Sequence, residues 1–463
     1  GTKTSTSLQV TGITSLGDFA LAEGPKNSVV SGGNWSNSTT WSPSGVPESN
    51  DNVLITSPNT VTIDVSPAVC NDLSIESGAT LNIGSTKALT VNGAFTNNGT
   101  LNLLSDANGT ATIITKGTVS AGTYNINQYL ALPRRTWYMS SPVASASPTG
   151  MDRIKSYNEA TNEWAAATLP MVVGKGYSVT PPELNPPTNI LFTGALNTGE
   201  KTIELQKDGL TSQKGFNFVG NPYPSYIDWK AVVAETKNKP SGTSIFETGT
   251  MWYRSKIEGN FKFYTVDGAG VVVPGTPSSI TAFVPPMQGF WVKTNADAST
   301  LYFEDNMRSH AGTVANPSPN ALKAPAATQS ELSLLRLQVS NGTNTDEAVI
   351  YSYANATDGY DFYDSPKMMN NDATIPEIYT TLNNKPMVIN VMNSLPLDTE
   401  IGLAFVPGDA TSFSLRASEI TNLPSDVKVI LKDYANNGQE TDLTDGAAVY
   451  NFTPATTTGD RFS

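Results

Sequence analysis

The sequence predicts an all-β protein in which a short parallel β-solenoid is followed by two antiparallel, jelly-roll-like β-sandwiches. Three observations carry that expectation. Helical periodicity is almost missing, while 37 glycines and 30 prolines fall at short intervals among Val, Ile, Thr, Tyr and Phe, the signature of short strands and frequent turns. Apolar triplets recur as Val53-Leu54-Ile55, Val61-Thr62-Ile63, Leu73-Ser74-Ile75, Leu81-Asn82-Ile83, Leu89-Thr90-Val91 and Leu101-Asn102-Leu103. Corresponding triplets at 53 and 73, 61 and 81, and 81 and 101 stack if each coil uses about 20 residues. Third, the remaining segments place aromatics on alternating positions between Pro-rich turns, the period-2 pattern of strands.

Taken in order, residues 1–25 read as the closing strands of an upstream β domain, and a chain that begins at Gly1 reads as a processed or truncated piece. Residues 26–123 form the solenoid. The outer residues of each triplet point inward and the middle one faces solvent, and each coil needs its neighbours to cover its apolar face. Trp35 and Trp41 are placed to cap the open end. The one cysteine, Cys70, excludes a disulfide framework and reads as a buried apolar thiol.

Residues 124–308 are expected to form the first sandwich, from "TWYMSSPV", "GKGYSV", "FNFVGNPYP", "GTMWYRS", "FKFYTV" and "MQGFWVKT". Asp228 is a candidate N-cap for a short helix in "DWKAVVAET". Residues 309–330, rich in Pro, Ala and Ser, read as a linker, which makes His310 a solvated linker histidine. Residues 331–463 supply about seven strands at roughly 8–15 residue spacing for the second sandwich.

Composition narrows the function. With 28 basic and 41 acidic residues the formal net charge is −13, and no Lys/Arg run interrupts it, so nucleic acid is an unexpected partner. No apolar run approaches the ~20 residues of a membrane helix, so membrane insertion is not expected. A single histidine leaves no histidine-based metal centre or catalytic triad to assemble. No pair of carboxylates can be named as an acid/base couple, and we expect no enzyme.

"GFNFVGNPYPSYIDW", "PPMQGFWVKT", "LRLQVSNGTNTDEAVIYSYANATDGYDFYDSPKM", "IPEIYT" and a terminal "TGDRFS" closely resemble the large cell-surface and secreted proteins of Bacteroidetes that leave by type IX secretion. The likeness covers most of the chain and implies an extracellular location. In these proteins a β-rich region of this kind commonly precedes a C-terminal sorting domain, and nothing resembling that domain follows Ser463. The resemblance marks address rather than activity. It implies a structural or adhesive surface protein, a subunit of a larger assembly or fibre, or else a carbohydrate-binding accessory region of a secreted polysaccharide-degrading enzyme. Cell-surface components, glycans or copies of the chain itself are the expected partners.

Two groups of residues are candidates for contact. Tyr223, Tyr226, Trp229, Trp252 and Trp291, with Tyr253 and Phe290, could stack on sugars or bury against a partner if exposed, and the competing reading makes them sandwich core. Asp358, Asp361 and Asp364 in "DGYDFYDSPK" could offer oxygens to Ca²⁺, the one cofactor the acids suggest, and the competing reading makes them turn residues that bond local amides. "GFNFVGNPYPSYIDW" itself reads as a corner, with Phe216 and Phe218 on one strand face and Pro222 and Pro224 forbidding continuation.

Overall fold

The computed structural model describes residues 2–3, 8–9, 24–130, 136–208, 214–254, 261–266, 281–310, 333–370, 372–395, 400–455 and 460–463. The fold is almost entirely β and begins with a three-faced parallel solenoid. Its first face orders the strands Phe95–Asn97, Leu73–Ile75, Val53–Ile55 and Lys26–Ser28, closed by the antiparallel Trp41–Ser42. The second runs Tyr124–Tyr129, Thr100–Leu103, Thr80–Ile83, Thr60–Ile63 and Gly33–Asn34, closed at its other edge by the antiparallel strand Asn189–Gly194. The third comprises Thr112–Thr115, Ala88–Val91 and Ala68–Cys70.

The twenty-residue spacing is realised in register: Leu81 faces Val61 and Leu101, and Val53 faces Leu73. Inward rows are sealed, with Val61, Leu81, Leu101 and Tyr124 all fully buried. Later coils lengthen, because Leu101 pairs with Tyr124 after the hairpin Ser105–Asp106/Gly109–Thr110 is inserted. Coils approach closely at the turns. A Cβ on Gly99 would lie 2.3 Å from the Glu76 carbonyl oxygen, so only glycine fits there. Trp35 and Trp41 close the end as a T-shaped pair 5.1 Å apart, with Trp41 Nε1 donating to the Trp35 carbonyl. Cys70 is buried, and burial pushes its thiol up to about 12.

The expected boundary after residue 123 is crossed. Strands Tyr124–Tyr129 and Asn189–Gly194 belong to the solenoid's second face, and one core runs from Trp35 through Phe192 to Met287. Trp137–Met139, Tyr177–Thr180, Arg153–Asn158 and Glu163–Ala166 make a separate four-stranded sheet. The central sheet orders Phe216–Gly220, Gly289–Thr294, Phe246–Arg254 and Phe261–Thr265. Asp228 caps the helix Trp229–Ala234, accepting from the Lys230 amide at 3.0 Å.

The C-terminal region is an eight-stranded curled sheet that includes one parallel pair, Thr345–Ser352 with Lys385–Met392, among otherwise antiparallel neighbours. The hairpin Ile430–Asp433/Gln439–Asp442 closes over it, and Phe462 bridges Leu403 to Asp433. Of the expected N-terminal strands, Thr2–Lys3 pairs antiparallel with Leu8–Gln9. Residues 10–23 and most of the expected linker, 311–330, lie outside the described residues.

Candidate functional site

The stretch "GFNFVGNPYPSYIDW" folds as a corner that closes the solenoid. Strand Phe216–Gly220 ends where Asn221 turns inward, fully buried, and its amide donates to the carbonyls of Ser225, Val284 and Pro285. Asn221 Oδ1 accepts from the Tyr223 amide, and the one O–H of Tyr223 is shared between the Gly199 and Phe303 carbonyls, 2.7 and 2.8 Å from its Oη. Pro224 then offers its carbonyl to the Ile113 amide on the solenoid's third face. Beside it the buried Arg308 guanidinium donates to the Ile113 carbonyl at 2.9 Å, pairs with Asp305 at 2.8 Å and stacks 5.0 Å from the Tyr223 ring centre. An otherwise open sheet edge is thereby sealed.

His310 belongs to this seal and is no solvated linker residue. Its two ring nitrogens lie 2.9 and 2.8 Å from Thr90 Oγ1 and Thr112 Oγ1 on adjacent coils. Burial, with Arg308 and Lys116 nearby, holds the imidazole down to about 4. No sequence signal pointed to this, because the flanking Ser and Gly look like linker and the partners lie about two hundred residues away.

The aromatic contact candidates are interior, as the competing core reading has it. Tyr223 and Trp229 are fully buried, and Tyr226, Trp252 and Trp291 nearly so. The reason is that both faces of the central sheet are covered. One face, with Val219, Met251, Tyr264, Phe290 and Val292, packs on the helix through Trp229, whose Nε1 donates to the Gly249 carbonyl. The other carries Phe216, Phe218, Trp252, Phe263 and Trp291, with Trp291 directly opposite both Phe218 and Trp252. Over it lie Tyr138, Tyr157 and Trp164 from the small sheet and Val349, Tyr351 and Val388 from the C-terminal sheet. Tyr157 meets Trp291 edge-on at 4.6 Å, and Trp164 meets Phe218 at 5.2 Å. Three regions therefore join in one aromatic seam. Sequence reasoning missed its outer members, although Tyr157 and Trp164 flank the turn residues "NEATNE" of a hairpin.

The seam is edged by ions. Glu247 meets Lys207 at 3.3 Å, Lys293 at 3.5 Å and Lys385 at 3.3 Å, and Tyr360 Oη donates to it at 2.6 Å. Burial alone would raise the Glu247 carboxyl, but Lys293, Tyr360 and the two other lysines outweigh it and hold the group at about 2. This contact joins the central sheet to the C-terminal region. Next to it the hydroxyls of Thr250, Thr265 and Ser365 form a buried triangle.

The three candidate calcium ligands serve backbone amides. Asp358 accepts from Asn393, Asp361 from Thr357 and Tyr363, and Asp364 from Asp361 and Val391. That arrangement favours the turn reading of these acids. Among the described residues, no group of three or more His, Cys, Asp or Glu is disposed to hold a metal ion. Asp364 is fully buried, and burial pushes its carboxyl up to about 7. A shallow cleft of about 410 Å³ lies at the sheet end, lined by Ser340, Asn341, Phe413, Ser414, Asn451 and Phe452, and it contains no ionisable side chain.

Among the described residues no helix is long and apolar enough to cross a membrane. Comparison with curated proteins and with solved structures finds no match. One family model, described as "Domain of unknown function (DUF8693)", matches residues 28–463. That span takes in the solenoid, the corner, the seam and the C-terminal sheet together, and the chain belongs to this family.

Proposed function

We propose that the chain is a non-catalytic structural module of an extracellular cell-surface protein, able to take part in a larger surface assembly. The observation that carries the reading is the aromatic seam. The side chains with most capacity for binding or chemistry are spent on fixing the solenoid, the small sheet and the C-terminal sheet to one another. Rigid β-modules locked in this way suit load-bearing or display rather than turnover. The extracellular address rests on the resemblance of "GFNFVGNPYPSYIDW" and its companion segments.

Calorimetry of the purified chain tests the rigid unit. One cooperative transition is expected, reported alike by solenoid and C-terminal probes, and separate melting of the two would remove the reading. Fractionation of the native cells tests the address, with intracellular retention as the opposing result. Sizing and electron microscopy of native material test the assembly, against which a strictly monomeric species without surface attachment would count. Release of product from polysaccharide or protein substrates by the purified chain would replace the structural reading with an enzymatic one.

A further inference from the structure

Arg308 and His310 dock on the solenoid's third face, whereas its second face presents two ordered rows to solvent. Thr60, Thr80 and Thr100 stand opposite one another in register. Alongside them run Asn34, Thr62, Asn82, Asn102, Asn125 and Thr193. The amides are bonded as a ladder: Asn102 Nδ2 donates to Asn82 Oδ1 at 2.8 Å and Asn125 Nδ2 to Asn102 Oδ1 at 3.0 Å. Thr193 Oγ1 donates to Asn125 Oδ1 at 3.1 Å. An amide has two N–H donors and two acceptor lone pairs, so Asn102 and Asn125 each keep one of both after the ladder closes. At one border Leu191, 47% exposed and opposite Asn127, and Leu104, 37% exposed, add apolar surface.

We propose that this face binds an uncharged polysaccharide, laid across the strands along the amide ladder. Neither row contains a charged side chain, although the chain as a whole carries −13, and the one acid on the border beyond them, Asp64, is held by the Ser36 amide and hydroxyl, so the two rows have nothing to recognise an acidic or basic polymer by. Each sugar hydroxyl both donates and accepts, which is what the fixed amides and the threonine hydroxyls offer in return. The C–H surfaces of sugar rings fit the leucine border. With strands about 4.8 Å apart, six rungs span roughly 24 Å, enough for a run of several rings.

The dimensions also argue against a second copy of the chain. Two rows about 7 Å apart on a 24 Å face give only a few hundred Å², well below the roughly 800 Å² per partner of a stable protein interface. A repetitive polymer can bind such a strip by engaging every rung. The proposal goes beyond the structural reading and does not depend on it.

The test is retention of the purified chain on insoluble cellulose, chitin and mannan, with alginate as the acidic comparison. Binding to at least one neutral polymer and not to alginate is expected. Asn82→Asp with Asn102→Asp should weaken it about tenfold or more, while Ser74→Asp, at the corresponding outward position of the first face, should leave it unchanged. Thr80→Lys, checked by circular dichroism and melting temperature, repeats the test without altering the amides. Absence of retention on all three neutral polymers would overturn the proposal, as would equal losses from Ser74→Asp. Sizing that showed Asn102→Asp to act by dissolving a dimer would also overturn it, and would assign the face to self-association.

Discussion

Inside the solenoid, the rows Val61, Leu81, Leu101 and Ile63, Ile83, Leu103 are purely aliphatic, and the polar residues buried elsewhere in it are neutral, Ser28, Thr40, Asn97, Thr112 and Thr115, apart from Lys26 in its first strand. The C-terminal sheet is built of the same secondary structure yet encloses Arg336, Asp346, Glu347, Lys367, Glu377, Asp433 and Arg461, none more than 8% exposed. The difference reflects how each finds its register. A coil is aligned by a neighbour of the same design, and a slip of one residue would turn every apolar side chain outward. A single curled sheet has no such repeat. Its charges pair specifically instead, Arg461 with Asp433, Arg336 with Glu347 and Glu419, and Lys367 with Asp346. Buried pairs of this kind add little net stability but punish the loss of one partner.

The largest expected effect tests that asymmetry directly. Arg461 donates to both Asp433 oxygens, at 3.1 and 2.9 Å, and stacks on Phe452 and Phe462, while Tyr450 Oη donates to the same carboxylate. Arg461→Ala should cost about 3–5 kcal/mol in denaturant unfolding because it strands Asp433. The double change Asp433→Leu with Arg461→Met should recover much of that. A single-mutant cost below about 1 kcal/mol would mean that the pair is solvated and the contrast with the solenoid is false.

Next in size is the solenoid's own failure mode. Leu81→Ala should cost about 2–5 kcal/mol through the cavity it leaves. Since each coil contacts only its neighbours, the loss of hydrogen-exchange protection should concentrate at the strands of Val61 and Leu101 and spare the C-terminal sheet. Uniform loss across the chain would show instead that the seam transmits the damage.

The two regions should also respond oppositely to pH. His310 is neutral in the fold down to about 4 but takes its ordinary 6.5 when unfolded, so acidification from pH 6.5 toward 4 protonates only the unfolded chain and removes stability. Glu377 behaves in the reverse sense. Burial, moderated by Lys367 and reinforced by Asp346, raises it from 4.5 to about 7, and Asp364 rises likewise from 3.8. Their stabilising contribution is complete below the unfolded values and is lost as pH rises to about 7. Each shift is worth on the order of 3–4 kcal/mol. Hydrogen exchange between pH 7 and 5, corrected for intrinsic rates, should therefore show the third solenoid face loosening while the C-terminal sheet firms. His310→Gln should abolish the first trend and Glu377→Gln should weaken the second. Slopes of the same sign would refute the comparison.

Legibility in the sequence followed the same division. The solenoid's triplets could be read because repetition prints register as spacing, and Leu81 lies where the interval of twenty placed it. The boundary at 123 could not, since Tyr124–Tyr129 continues the second face after a coil lengthened by a hairpin. Among the aromatics, strand alternation gave the shared, buried face of Phe216 and Phe218 but not what buries it, two other sheets lying over it. The charges of the C-terminal interior were the least legible. Asp364 and Glu377 look like surface acids until long-range partners enclose them.

The smallest predicted effect lies where the two regions' strategies meet, at the corner. The Tyr223 hydroxyl shares its hydrogen between two carbonyls, and its ring receives Arg308, so shape and polarity can be separated there. Tyr223→Phe keeps the ring and removes the hydroxyl, leaving the Gly199 and Phe303 carbonyls to share other donors or none, at a cost of about 1–2 kcal/mol. Asn221→Ala removes both N–H donors, which serve three carbonyls between them, and the acceptor for the Tyr223 amide, and should cost more. If the corner is the solenoid's seal, both changes should raise exchange at the Ile113 amide, which donates to Pro224. An unchanged Ile113 alongside a lowered melting temperature would make the corner a local brace of the central sheet, with the solenoid edge held by Arg308 and His310.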